Sequence, residues 1–125
     1  MTRSILIVDD NLSLANLYQI VFEHNHWEVE RVTSGQEALN KLASVPDVVL
    51  LDLMMPDMDG IEVCRRIREQ HPQAPPCIAI YTAINRPETH EASLAAGADL
   101  FFSKSLSVFD LPEKIEAHLQ LPDAP

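Results

Sequence analysis

Short apolar runs alternate along the chain with longer stretches of helical periodicity. Ile5-Leu6-Ile7-Val8 is bounded by Asp9-Asp10; its length and β-branching predict a strand buried on both faces. Asn11 is placed to cap a helix, whose stripe of Leu14, Leu17, Tyr18, Val21 and Phe22 runs to His24-Asn25. Trp27 to Val32 alternates imperfectly and predicts an edge strand. Ser34 caps a second helix with Glu37 spaced for a capping box; Ala38, Leu39 and Leu42 are its apolar face and Pro46 stops it. Val48 to Leu51 is the third strand. Ile61, Cys64 and Ile67 stripe a third helix, with Arg65, Arg66 and Arg68 on other faces and Pro72, Pro75 and Pro76 in the loop beyond. Cys77 to Tyr81 is the fourth strand, ending at Thr82. Asn85 and Glu88 are spaced to box the start of a fourth helix with Pro87 in its first turn, and Gly97 closes it in the left-handed conformation. Leu100-Phe101-Phe102 is a short fifth strand. The last helix is predicted from Asp110, which puts Pro112 in its first turn, with Leu111, Ile115 and Leu119 facing inward and Leu121 to Pro125 left as a tail.

Five strands alternating with five helices at these loop lengths predict right-handed crossovers, and so an α/β fold with a parallel sheet and helices on both faces. The 125 residues suit one domain, 1–125, with no internal repeat or linker. A hydrophobic fraction of 46% excludes a disordered chain. The formal net charge of -10 disfavours direct nucleic-acid binding. It suits a site that gathers carboxylates around a cation, although most of these acids read as solvating surface groups. Cys64 and Cys77 form no CxxC motif and read as buried thiols. No signal-peptide layout precedes Ile5, and no apolar run approaches the roughly 20 residues a bilayer requires. A cytoplasmic protein without membrane contact is the expectation. His24 and His26 fall in a predicted helix-to-strand turn with no third ligand, and read as solvated.

The candidate chemistry lies where the strands stop. In DVVLLDLMMPDMDG, residues 47–60, an apolar strand runs directly into Asp52. Ligands of open parallel sheets bind outside the carboxyl ends of the strands. There the first strand delivers Asp9-Asp10, the third Asp52, the fourth Thr82 and the fifth Ser103-Lys104; the second delivers nothing comparable. Three carboxylates packed together stay ionised only beside a cation, and hard oxygen ligands with room for water favour Mg²⁺ over zinc. Asp52, on the middle strand, is central. A carboxylate can attack phosphorus to give an acyl phosphate, with the metal, the Lys104 ammonium and the Thr82 hydroxyl offsetting charge on the phosphoryl oxygens. Each residue alone is as readily a turn residue, a cap or a surface group; the joint arrangement at four strand ends is the signal.

The motifs ILIVDDN, VVLLDLMMPDMDG, IAIYTA and AAGADLFFSKS resemble the receiver domain of two-component response regulators, over a core of about residues 3–120. The resemblance implies a flavodoxin-like (βα)5 fold of strand order 2-1-3-4-5. It implies that Asp52 accepts a phosphoryl group from a phosphohistidine of a sensor histidine kinase or histidine phosphotransfer protein. Asp10 would bind Mg²⁺ directly, Asp9 largely through water, and Met54 through its backbone carbonyl. Thr82 would move toward the phosphoryl group, Lys104 would pair with its oxygens, and Phe101 would occupy the aromatic switch position. Two departures stand out. The family's usual proline after the lysine is Ser105, which leaves open a trans bond with Lys104 reaching differently, or a cis bond at about 2.5–4 kcal/mol. Phe101 lacks a hydroxyl, so a switch there rests on packing.

The resulting expectation is a signalling switch and not an enzyme beyond self-phosphotransfer and autodephosphorylation. Added phosphoryl charge would reshape the face of the fourth helix, fifth strand and fifth helix for a downstream protein partner or an output domain outside this chain. Met54 and Ile84 flank the expected path of attacking water and cannot orient it, which predicts slow autodephosphorylation. Arg86, Lys104 and Lys114 are the only basic residues beyond Arg68, histidines aside; a charge-laced dimer is poorly supplied, and a monomer or weak homodimer is expected. Two other classes compete. A phosphorylation-independent interaction module fits poorly with the intact set of acids, hydroxyl and lysine. A haloacid-dehalogenase-like phosphatase would need DxD where Asp52 is followed by Leu53-Met54, and a nucleotide-binding enzyme would need GxGxxG or GxxxxGK[ST].

Overall fold

The computed structural model describes residues 2–120. In chain order the elements are β1 Ser4–Val8, α1 Leu12–His24, β2 Glu28–Val32, α2 Gly35–Lys41, β3 Val48–Leu51, α3 Gly60–Gln70, β4 Cys77–Thr82, α4 Pro87–Ala95, β5 Leu100–Ser103 and α5 Leu111–Gln120. All strand pairs are parallel, in the order β2-β1-β3-β4-β5. The expected α/β fold and strand order are present. The tail, Leu121 to Pro125, lies outside the described residues.

Side chains alternate across the pleat, so each central strand feeds two cores. Ile5, Ile7, Val48, Leu50, Ala79 and Tyr81 face α1 and α5, meeting Tyr18, Phe22, Leu111 and Ile115. Leu6, Val8, Val49, Leu51, Ile78 and Ile80 face the other layer, meeting Ala38, Val63, Cys64 and Ile67. Every residue of β3 and β4 is buried, as a strand covered on both faces requires. At the sheet edges, β2 is largely exposed and β5 half-buried. Burial pushes the Cys64 thiol up to about 11 and the Cys77 thiol up to about 12; both are free and inert. His24 and His26 are exposed.

The caps set the helix starts. Asn11 Oδ1 accepts from the Leu14 N–H at 3.1 Å and Ser34 Oγ from the Glu37 N–H at 3.1 Å. Three expectations are corrected. Asn85 does not cap α4: Arg86 holds the cap position with extended backbone and no side-chain bond, because Pro87 fits at the first helical position and disfavours helical geometry before it. The last helix does not start at Asp110: a 3-10 turn, Val108–Asp110, comes first, with Ser107 Oγ accepting from the Phe109 N–H. In α1, Leu17 is 38% exposed and Ala15 takes the inward place at 1%; the small alanine lets the helix lie close to the sheet.

Candidate functional site

Register brings the strand ends together. Val8 pairs with Leu51, Leu51 with Ile80 and Thr82 with Ser103. The ladder continues one residue further: the Asp52 N–H donates to the Val8 carbonyl at 3.1 Å and the Lys104 N–H to the Thr82 carbonyl at 2.8 Å. Asp9, Asp52, Thr82 and Lys104 therefore emerge at one edge, beside Asp10.

Lys104 Nζ lies 3.2 Å from Asp9 Oδ2 and 3.3 Å from Asp52 Oδ2. One carboxylate oxygen from each of Asp9, Asp10 and Asp52 lies within 4.8 Å of the others. Asp9 is 2% exposed and Asp52 8%, while Asp10 is open to solvent. The backbone two residues on holds each buried carboxylate: Asp9 Oδ1 accepts from the Asn11 N–H at 2.9 Å and Asp52 Oδ1 from the Met54 N–H at 3.2 Å. One ammonium thus serves two buried acids, with a third nearby. The donor set, all oxygen and rich in negative charge, fits a hard divalent cation such as Mg²⁺.

The electrostatics agree with that shortage of positive charge. Burial raises the Asp9 carboxyl above its ordinary value, and Asp52 adds to the rise; the Asn11 N–H and Lys104 oppose it without cancelling it. Burial alone would pull the Lys104 ammonium down, but Asp52 and then Asp9 outweigh burial and hold it above its usual range. Lys104 stays charged, and Asp9 is the member that is costly to ionise. A carboxyl raised in the folded state contributes fully below its unfolded pKa, and that contribution fades as pH rises through the folded value. Asp9→Asn, which keeps an acceptor for Asn11, should therefore raise the melting temperature at pH 7 without divalent cations, by about 3 °C. The gain should vanish toward pH 3, and Mg²⁺ should stabilise the variant less than the natural chain. A lower melting temperature at pH 7 in a metal-free scan would contradict this.

Thr82 is fully buried, and its Oγ1 accepts from the Ile84 N–H at 3.3 Å. Phe101 is half-buried against the second core and stacks on His90 of α4, centroids 4.7 Å apart and planes 14° from parallel. Met54 is exposed, and with Asp10, Met55, Ile61 and Ile84 it lines an open cleft of about 680 Å³ beside the carboxylates. Among the described residues the cis peptides are Ala74–Pro75 and Pro75–Pro76, so Lys104–Ser105 is trans, and Lys104 reaches both buried acids from it.

Two groups near the site were not singled out by sequence. Tyr18 and Tyr81 each place a ring centroid 5.9 Å from Lys104 Nζ; in the sequence both read simply as core. Asp57, in the loop after β3, accepts from the Gly35 and Gln36 N–H groups at 3.1 and 3.2 Å, tying that loop to the start of α2. Its cue was the acid-rich MPDMDG, in which Asp59 instead caps α3, accepting from the Ile61 N–H at 2.9 Å.

Comparison with known proteins agrees with this geometry. The chain is 36% identical over 117 residues to the transcriptional regulatory protein TrcR of Mycobacterium tuberculosis, covering 93% of this chain and 45% of that protein. It is 35% identical to the alkaline phosphatase synthesis transcriptional regulatory protein PhoP of Bacillus subtilis, covering 96% and 50%. The chain thus spans about half the length of these relatives. A CheY-like response regulator receiver domain protein from Methanospirillum hungatei superposes with a TM-score of 0.88 at 30% identity, covering 95% of this chain and 94% of that one. The family described as the response regulator receiver domain matches residues 5–116. With four strand ends delivering acids, a hydroxyl and a lysine to one edge, the chain belongs to the receiver-domain family of two-component response regulators.

Proposed function

We propose that this receiver is a phosphorylation-dependent switch whose acceptor is Asp52, supplied by a phosphohistidine on a sensor histidine kinase or histidine phosphotransfer protein. The observation that carries the reading is the seat of Asp52: a nearly buried carboxylate on the central strand, one oxygen held by the Met54 N–H and the other facing the Lys104 ammonium. An Asp52 oxygen attacks phosphorus, the phosphorus–nitrogen bond breaks, and its electron pair returns to the imidazole. Asp9, Asp10, Asp52 and the Met54 backbone carbonyl are the residues that would hold Mg²⁺. When bound, that ion offsets negative charge on the phosphoryl oxygens.

Lys104 already spans Asp9 and Asp52, so its ammonium needs little movement to meet a phosphoryl oxygen on Asp52. The Thr82 hydroxyl donates to another oxygen, which draws the loop after β4 inward. Ile84 lies in that loop, and Phe101 packs with it in the same core. The His90–Phe101 stack then repacks, changing the face of α4, β5 and α5 that a downstream partner or an output domain reads. The exposed apolar side chain of Met54, in the cleft beside Asp10, and that of Leu12 at the start of α1 suit docking of a donor helix. Among the described residues no helix is long and apolar enough to cross a membrane. The reading includes a cytoplasmic setting, a monomer or weak homodimer, no direct contact with nucleic acid through this domain, and no turnover beyond the receiver's own phosphorylation and dephosphorylation.

Beryllofluoride, a phosphoryl stand-in that binds a carboxylate oxygen, tests the seat. In ¹⁹F NMR with Mg²⁺, the natural chain should show bound fluoride signals and Asp52→Asn none. No bound signal in the natural chain would contradict the proposal. The lifetime is tested separately: replacing both Met54 and Ile84 with polar residues should speed loss of the phosphoryl group by up to about 10²-fold, the low end for positioned acid–base assistance. An unchanged decay rate would sink the lifetime argument alone.

A further inference from the structure

Lys104 needs a fixed seat, and the residue after it is Ser105, with no rigid ring to restrain the loop. Ser105 is exposed. The restraint on this loop comes from elsewhere in the fold. The Tyr81 hydroxyl donates to the Leu106 carbonyl at 2.6 Å, joining β4 to the loop two residues beyond Lys104. Tyr81 is buried, and a buried phenol requires a partner. Its ring and that of Tyr18 lie 5.5 Å apart, tilted by 60°. Both centroids are 5.9 Å from Lys104 Nζ, at the outer reach of a cation–π contact. The same two rings line the space beneath Asp9 and Asp52.

We infer that Tyr81 is a positioning residue for Lys104. Its hydroxyl ties down the β5–α5 loop, and its ring, with that of Tyr18, seats the ammonium between Asp9 and Asp52. The inference rests on the phosphoacceptor reading of Asp52 given above. Tyr81 touches no reacting atom; it acts through Lys104.

A double-mutant cycle separates this role from a general structural one. The rate of phosphorylation by acetyl phosphate with Mg²⁺ is measured for the natural chain, Tyr81→Phe, Lys104→Ala and the double variant. Tyr81→Phe should slow the natural chain about tenfold, a loss suited to a small misplacement of a charged group. It should leave Mg²⁺ affinity unchanged or slightly raised and never lowered, because a displaced Lys104 competes less with the cation for Asp9 and Asp52. On the Lys104→Ala background the same substitution should change almost nothing. No loss in the natural chain, or equal losses on both backgrounds, would overturn the inference. A second measurement needs no turnover: the Lys104 side-chain ¹⁵N resonance should shift and broaden in Tyr81→Phe, and an unchanged resonance would overturn the inference equally. Failure of the natural chain to take up phosphoryl would instead defeat the reading of Asp52, leaving the resonance to decide the seat.

Discussion

Lys104→Ala should slow phosphorylation of Asp52 by about 10²–10³-fold, the loss typical when one preorganised charge-stabilising donor is removed. The substitution takes away the only ammonium that, among the described residues, contacts the buried pair, Asp9 and Asp52. In the transition state the phosphoryl oxygens bring further negative charge to that place, and among the described residues no other cationic side chain bridges these two acids to replace it. Ground-state binding should move the opposite way. With the ammonium gone, three clustered carboxylates lose a competitor, and Mg²⁺ should bind more tightly. Phosphorylation kinetics with acetyl phosphate and a Mg²⁺ titration read the two effects separately. A variant that is phosphorylated at the natural rate, or that binds Mg²⁺ more weakly, would show that Lys104 is a surface group with incidental contacts.

Gly60→Ala should destabilise the fold by about 2 kcal/mol, although alanine is favoured over glycine in a helix interior by about 1 kcal/mol. Gly60 opens α3 directly after the active-site loop. A Cβ there would meet Leu53 Cα at 2.5 Å and the Asp52 carbonyl oxygen at 2.7 Å. Both are backbone atoms and cannot rotate aside, so the overpacking cost of about 1–3 kcal/mol or more outweighs the propensity gain. The Gly60 N–H also donates to the Leu53 carbonyl at 3.2 Å, so any retreat of the helix strains the residues that carry Asp52 and Met54. Urea unfolding should show the lost stability, and acetyl phosphate kinetics a slower phosphorylation. A variant as stable as the natural chain would mean that the loop after β3 gives way freely and does not fix the site.

Much of this arrangement was legible in the sequence because it depends on short-range pattern. Runs such as Val48–Leu51 and Cys77–Tyr81 are apolar on both faces because helices cover both, and their terminal Asp52 and Thr82 are where the apolar run gives way to polar side chains. The parallel connection then brings those ends to one edge without further information. Errors arose where one neighbour decided the outcome. Pro87 moved a cap from Asn85 to Arg86, and Ser107 started a 3-10 turn ahead of Asp110. Leu17 and Ala15 exchanged places because hydrophobicity alone does not report how closely α1 approaches the sheet. Tyr81 was legible as core but not as a partner of the Lys104 loop, since its bond to Leu106 spans 25 residues and leaves no spacing to read. The reach of Lys104 from a trans bond to Ser105 likewise depended on three-dimensional packing.

The central claim is that Asp52 takes a phosphoryl group. It is tested most directly by intact mass after incubation with Mg²⁺ and acetyl phosphate, for the natural chain and for Asp52→Ala. A gain of one phosphoryl group in the natural chain, lost in the variant, is the predicted result. No gain in the natural chain with Mg²⁺ bound, or an equal gain in Asp52→Ala, would contradict it.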